Sequence, residues 1–214
     1  ANQAVAAVRL GGDVTFVANL GSDLFGENAL RQFEAEGIHT QYISRDQHNP
    51  SGVALINVDE SGENSIVVAS GANNFLSPVQ VKSALENAPE HSIVLIQLET
   101  PIETVMATAE ISRAKKHQLI LNPAPAARLS DEILSLVSII TPNETEAELL
   151  TGIAVSDEKS GAVAADYFHQ RKIPVVIITM GAQGAYVSTE NYRGIIPVQK
   201  TKAVDTTAAG DCFN

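Results

Sequence analysis

The residues best suited to chemistry lie in VDTTAAGDCFN, Val204 to Asn214. Ala208, Ala209 and Gly210 have almost no side-chain bulk. If they open a helix, their N–H groups lack intrahelical acceptors and the helix dipole favours an anion beside them. Asp211 follows directly. A carboxylate next to an anion hole repels a phosphate unless it has a task, and taking the proton from a hydroxyl is such a task. The plainer reading is a helix with a small-residue first turn and an Asp placed by the dipole. Cys212 could be activated at a helix N-terminus. With no His-based partner motif and with Phe213 beside it, the sequence predicts a small buried residue instead.

Other polar residues follow apolar runs. Glu99 comes after SIVLIQL, either to cap the next helix or to accept from a ligand hydroxyl. Asn122 and two prolines follow QLIL and predict a stiff loop. In PNETEAELL, Asn143 and Glu146 have capping-box spacing, and equally could face a phosphate and its metal. Thr179 ends VVIIT. Gly181 and Gly184 follow it, as a simple turn or as backbone lining a nucleotide. The five histidines have no ligand spacing and predict no metal site.

Those residues need elements to hold them. Continuous Val/Ile/Leu runs such as SIVLIQL, QLIL and VVIIT suit strands buried on both faces, and they alternate with helical stretches. The pattern predicts a three-layer α/β/α domain with a mostly parallel sheet, in which ligands bind beyond the strand C-terminal ends. An interruption at about 52–68, two β-rich runs around DESGEN, predicts an accessory hairpin. GAYVST and RGIIPVQ predict an antiparallel pair, and the expectation is one domain over 1–214. The chain has 214 residues, is 44% hydrophobic and 18% charged, and carries a net charge of −11 with pI near 4.8. That balance excludes charge-driven nucleic-acid binding, but not a nucleotide held by backbone N–H groups. One cysteine, no signal layout and no apolar run near the ~20 residues of a membrane helix predict a soluble cytoplasmic protein, with no membrane partner.

DTTAAGD, Asp205 to Asp211, resembles the second signature of the ribokinase-like carbohydrate kinases, also called the phosphofructokinase-B family. PNETEAE resembles that family's Asn-x-x-Glu motif, and ANQAVAAVRLGGDVTFVANLGSDLFGE is similar to the region after its paired glycines. With LIQLETP, LNPAPA and ITPNETEAELLTG, the chain is most like the family's ribose kinases. The resemblance implies transfer of the ATP γ-phosphate to the 5-hydroxyl of ribose. Asp211 would be the base, and Ala208, Ala209 and Gly210 the anion hole. Asn2, Glu99 and Asp211 would hold the sugar. Asn143, Thr179, Gly181 and Gly184 would serve the nucleotide, and Glu146 a Mg²⁺ through water. Asp205 and Thr207 would contact a K⁺ activator. The hairpin would be the family's small lid, which implies a homodimer formed through it.

The family's first strand and paired glycines are expected before Ala1, and part of its lid is expected to be missing. The rest of the helix that starts at Asp211, and much of the adenine pocket, are expected after Asn214. The chain is therefore expected to be an internal segment of such a kinase. The alternatives are a catalytically inactive fragment, or a kinase for fructose or adenosine. A dinucleotide-binding oxidoreductase suits the strand–helix alternation, but no G-x-G-x-x-G follows the first strand.

Overall fold

The computed structural model describes residues 1–58, 64–199 and 206–214. Two compact units emerge. The first comprises Ala1–Ala84, Glu99–Pro101 and Lys202–Asn214, the second Leu85–Leu98 and Ile102–Thr201.

The first unit begins with α1 (Asn2–Arg9). Strands β1 (Ala18–Gly21) and β2 (Ile43–Asp46) pair in parallel, with α2 (Leu24–Glu36) connecting them. Asp23 caps α2 by accepting from the Gly26 N–H at 2.8 Å, and Gly37 ends it in the left-handed conformation. Buried Phe33 on α2 meets Phe16 edge to face, ring centroids 5.2 Å apart. The expected strand VTFVANLG is shorter than its apolar run. Among the described residues a single bridge, Thr15 to His39, precedes β1. β3 (Val53–Val58) and β4 (Asn64–Ala69) form the predicted antiparallel hairpin, with Val53 opposite Ala69. Residues 59–63, most of the DESGEN turn, lie outside the described residues. After a 3₁₀ turn (Gly71–Phe75), α3 (Pro78–Asn87) begins with Ser77 and Gln80 exchanging bonds in capping-box fashion. α8 (Ala209–Phe213) also belongs to this unit.

The second unit holds a six-stranded sheet of order β10-β9-β8-β7-β6-β5. β5 (Ile93–Ile96), β6 (Gln118–Leu121), β7 (Ile139–Ile140) and β8 (Val175–Thr179) run parallel. β9 (Ala185–Ser188) and β10 (Arg193–Ile196) fold back as an antiparallel meander. α4 (Ile102–Ala114), α5 (Asp131–Leu134), α6 (Glu144–Thr151) and α7 (Glu158–Gln170) connect the parallel strands. The core gathers Leu119, Leu121, Ile140, Val176 and Ile178 from the sheet with Ala164, Ala165 and Phe168 of α7. These are the apolar runs that predicted strands buried on both faces. Burying them removes the largest apolar side chains from water, about 1.5–3 kcal/mol each. The class is mixed α/β with a mostly parallel sheet, as the pattern predicts.

Candidate active site

In the first unit, α1 and α8 pack together. The Asn2 Nδ2 donates to Asp211 Oδ2 at 2.9 Å, although 209 positions separate them in sequence. Asp211 is half-buried and Asn2 exposed. The Glu99 and Asp211 carboxylates both lie within electrostatic reach of Ala1, the residue before Asn2. Asn2, Glu99 and Asp211 therefore share one neighbourhood. Glu99 is exposed, and its own stretch Glu99–Pro101 joins this unit rather than the sheet it follows in sequence.

The turn before Asp211 departs from a regular helix start. Ala208 adopts φ 58°, in the left-handed region that favours glycine. Ala209 donates its N–H to the Thr206 carbonyl at 3.1 Å, so this one of the three proposed anion-hole donors is already engaged. Among the described residues no protein acceptor faces the Ala208 or Gly210 N–H. A side chain added at Gly210 would meet open space. Asp205 lies outside the described residues, and Thr207 is exposed in the turn. Cys212, expected to be buried, is exposed. α8 has five residues, none of them buried among the described residues. Arg9, bonded to Glu36, lies close enough to feel Cys212 electrostatically.

In the second unit the capping box is real. The Asn143 Oδ1 accepts from the Glu146 N–H at 2.8 Å, and Glu146 Oε2 accepts from the Asn143 N–H at 2.9 Å. These bonds fix both side chains at the start of α6, which accounts for their spacing without a ligand. Glu146 is 7% exposed, and burial pushes its carboxyl above the usual range, against the lowering effect of the Asn143 N–H. A buried carboxylate held at a helix start is a place where a hydrated cation would relieve the desolvation. Among the described residues no group of three His, Cys, Asp or Glu side chains could hold a metal directly. A Mg²⁺ here would keep waters and lean on substrate phosphates, as that ion commonly does.

Thr179 lies beside Asn143 through a parallel bridge and donates its N–H to the Pro142 carbonyl at 2.9 Å. The ends of β7 and β8 thus bring Asn143, Glu146 and Thr179 to one edge, where parallel sheets bind ligands. The glycines after Thr179 differ. Gly184 has φ 104°, and a Cβ there would lie 2.1 Å from the Ile196 carbonyl oxygen. Its lack of a side chain is explained by packing on β10. Gly181 has φ 50° and nothing within 4 Å of a Cβ, so its face is open. Asn122 is buried and donates to the Thr141 carbonyl at 3.2 Å, shaping the loop after β6. No helix of the described residues is long and apolar enough to cross a membrane.

Known proteins carry the same pattern. The model of the pfkB family carbohydrate kinases matches residues 1–214. A ribokinase of Haemophilus influenzae is 49% identical over 214 residues, which cover 100% of this chain and 70% of that protein. A ribokinase of Staphylococcus aureus is 43% identical, with the same shares covered. The structure of Arabidopsis thaliana ribokinase complexed with ribose and ATP superposes with TM-score 0.84 at 27% identity, over 99% of this chain and 70% of that one. The chain belongs to the pfkB family of carbohydrate kinases.

Proposed function

We propose that this protein transfers the γ-phosphoryl group of ATP to the 5-hydroxyl of D-ribose. The observation that carries the reading is the Asn2–Asp211 pair at 2.9 Å, with Asp211 directly after the turn that opens α8 and leaves open space at Gly210. Asp211 accepts the hydroxyl proton as the oxygen attacks the γ-phosphorus. The bond to the bridging β–γ oxygen breaks, and ADP leaves with that electron pair. The Ala208 and Gly210 N–H groups face the charge on the transferring phosphoryl, with Ala209 shaping the turn. Asn2 holds one Asp211 oxygen in place and, with Glu99, offers hydrogen bonds to sugar hydroxyls.

Asn143, Thr179 and Gly181 line the nucleotide side, and Gly184 contributes by setting the turn. Mg²⁺, held through water near Glu146, would neutralise charge on the phosphates. K⁺, beside Asp205 and Thr207, would act as an activator. The β3–β4 hairpin would be the lid of a single kinase domain. Its exposed Leu55, Val67 and Val68 suit a second copy of the chain as the covering partner. ATP consumption and a lone cysteine suit the cytoplasm. The relatives named above favour ribose over fructose or adenosine and do not favour an inactive fragment.

The test is ADP release with ribose, ATP, Mg²⁺ and K⁺. Ribose supports turnover, and Asp211→Ala lowers kcat by roughly 10²–10⁴-fold. An Asp211→Ala variant with normal kcat removes the base from this role, and no turnover with any pentose removes the substrate class.

A further inference from the structure

Asp23 lies just past β1, and its two oxygens do different things. Oδ1 accepts from the Gly26 N–H at 2.8 Å, which caps α2, and from the Ser51 hydroxyl at 2.7 Å. Oδ2 accepts from the Ser51 main-chain N–H at 2.7 Å. Ser51 Oγ in turn accepts from the Gly21 N–H at 3.0 Å. Ser51 is buried, and it stands immediately before Gly52 and the hairpin strand β3. One carboxylate thus ties the entry of the hairpin to the β1–α2 turn. These bonds hold the Asp23 carboxyl below its usual range, the Gly26 and Ser51 N–H groups contributing most.

The exit of the hairpin is bound at the same place. The Ala72 N–H donates to the Pro50 carbonyl at 2.8 Å, and the buried Asn19 Nδ2 donates to the Ala72 carbonyl at 3.0 Å. Gly71, at φ 51°, approaches so closely that a Cβ would lie 2.3 Å from the Pro50 oxygen. Entry and exit therefore form one collar. Beyond it the hairpin extends as a two-stranded sheet bonded to no other strand among the described residues. Its Leu55, Val67 and Val68 are exposed. A ribbon of that kind is marginal by itself, so its angle depends on how its stem is held.

We propose that Asp23 is the positioning residue of the hairpin, fixing the stem through Ser51 and thereby the sugar affinity of the site. This rests on the hairpin being the lid of a ribose kinase. The capping and tying roles are separable. Asparagine caps a helix as well as aspartate does, so Asp23→Asn keeps the acceptor for Gly26. It also puts an amide donor where Oδ2 receives the Ser51 N–H, and two donors then face each other.

The experiment compares the intact kinase with Asp23→Asn and Ser51→Ala. Losing a bond to a charged acceptor predicts a KM for ribose about tenfold higher in Asp23→Asn, with kcat near wild type and a thermal midpoint lower by only a few degrees, and a smaller rise in KM in Ser51→Ala. Native-state hydrogen exchange gives a second readout that needs no turnover. Amides of β3 and β4 exchange faster in Asp23→Asn, while those of β5 to β8 do not. Unchanged KM together with unchanged hairpin exchange overturns the proposal. So does a uniform acceleration of exchange throughout the chain, which marks a helix cap and nothing more. Faster hairpin exchange in a protein whose wild type does not phosphorylate ribose keeps the tie and removes the lid reading.

Discussion

Asp211 and Asn2 are the clearest case of two residues whose meaning comes from their contact. Asp211 stands out in sequence because a carboxylate after Ala-Ala-Gly needs a chemical reason. That Asn2 holds it could not be read from spacing, since 209 positions intervene and only folding brings α1 to α8. A hydrogen bond to a charged partner is worth more than a neutral one. Asn2→Ala is expected to lower kcat/KM by roughly ten- to a hundredfold with little change in thermal midpoint, because Asn2 is exposed. Added to Asp211→Ala it should cost less than it does alone, since the shared bond is already gone and only its contact with the sugar remains to be lost. Additive losses would show that Asn2 acts on the sugar alone. Ala208 shows the limit of sequence reading differently. Nothing in an alanine announces a positive φ, so the regular helix start expected from AAGD becomes a turn that engages the Ala209 N–H.

At the level of elements, α6 separates two roles that the PNETE spacing leaves together. The capping box accounts for Asn143 and Glu146 structurally, and the burial of Glu146 is the feature on which its proposed role toward Mg²⁺ rests. Asn143→Ala is expected to cost about 1 kcal/mol of stability, read from the urea midpoint. Glu146→Gln keeps an N3 acceptor, because Gln also serves in capping boxes, and it removes a buried charge. The expected result is unchanged or slightly higher stability with a raised KM for MgATP. An unchanged KM would assign Glu146 to the helix cap alone. The start of α6 was among the most legible parts of this chain, because the Asn143–Glu146 capping box acts locally. Asp23 gave the same signal as Glu99, a carboxylate after a strand. Its partner Ser51 lies 28 positions away, which hides the pairing from any local pattern.

The whole molecule divides where no local signal predicts it. The strand–helix alternation gave the class, and GAYVST with RGIIPVQ the antiparallel pair β9–β10, but the sheet of the second unit contains neither β1 nor β2. Apolar runs identify strands without saying which strands pair, since pairing is settled by long-range burial. The acid response also belongs to this scale. The Asn49 side chain, with the His48 and Asn49 N–H groups, holds the Asp46 carboxyl down at about 2, from 3.8. A depressed carboxyl stabilises the fold fully above its unfolded value and loses that contribution as pH falls through the folded one. Burial moves Glu146 the other way, so its contribution is present at low pH and lost as pH rises through its raised value. Urea midpoints of wild type and Asp46→Ala are expected to differ most above pH 3.8 and to converge toward pH 2. A gap that stays constant with pH would remove the charge from the effect.

The meander of β8, β9 and β10 bears on the order in which the chain assembles. Its strands are joined by the short turns Met180–Gly184 and Thr189–Tyr192, whereas each parallel neighbour pair from β5 to β8 must first close a loop around a helix. Short closures lose less chain entropy and form sooner. Residues 175–196 are thus the natural nucleus onto which the parallel strands add. Pulsed hydrogen exchange during refolding should find amides of β8 and β9 protected before those of β5 and β6, and simultaneous protection would count against that order. The same residues carry Thr179 and the turn at Gly181. In that order, the floor of the proposed nucleotide side is laid before most of the sheet it belongs to.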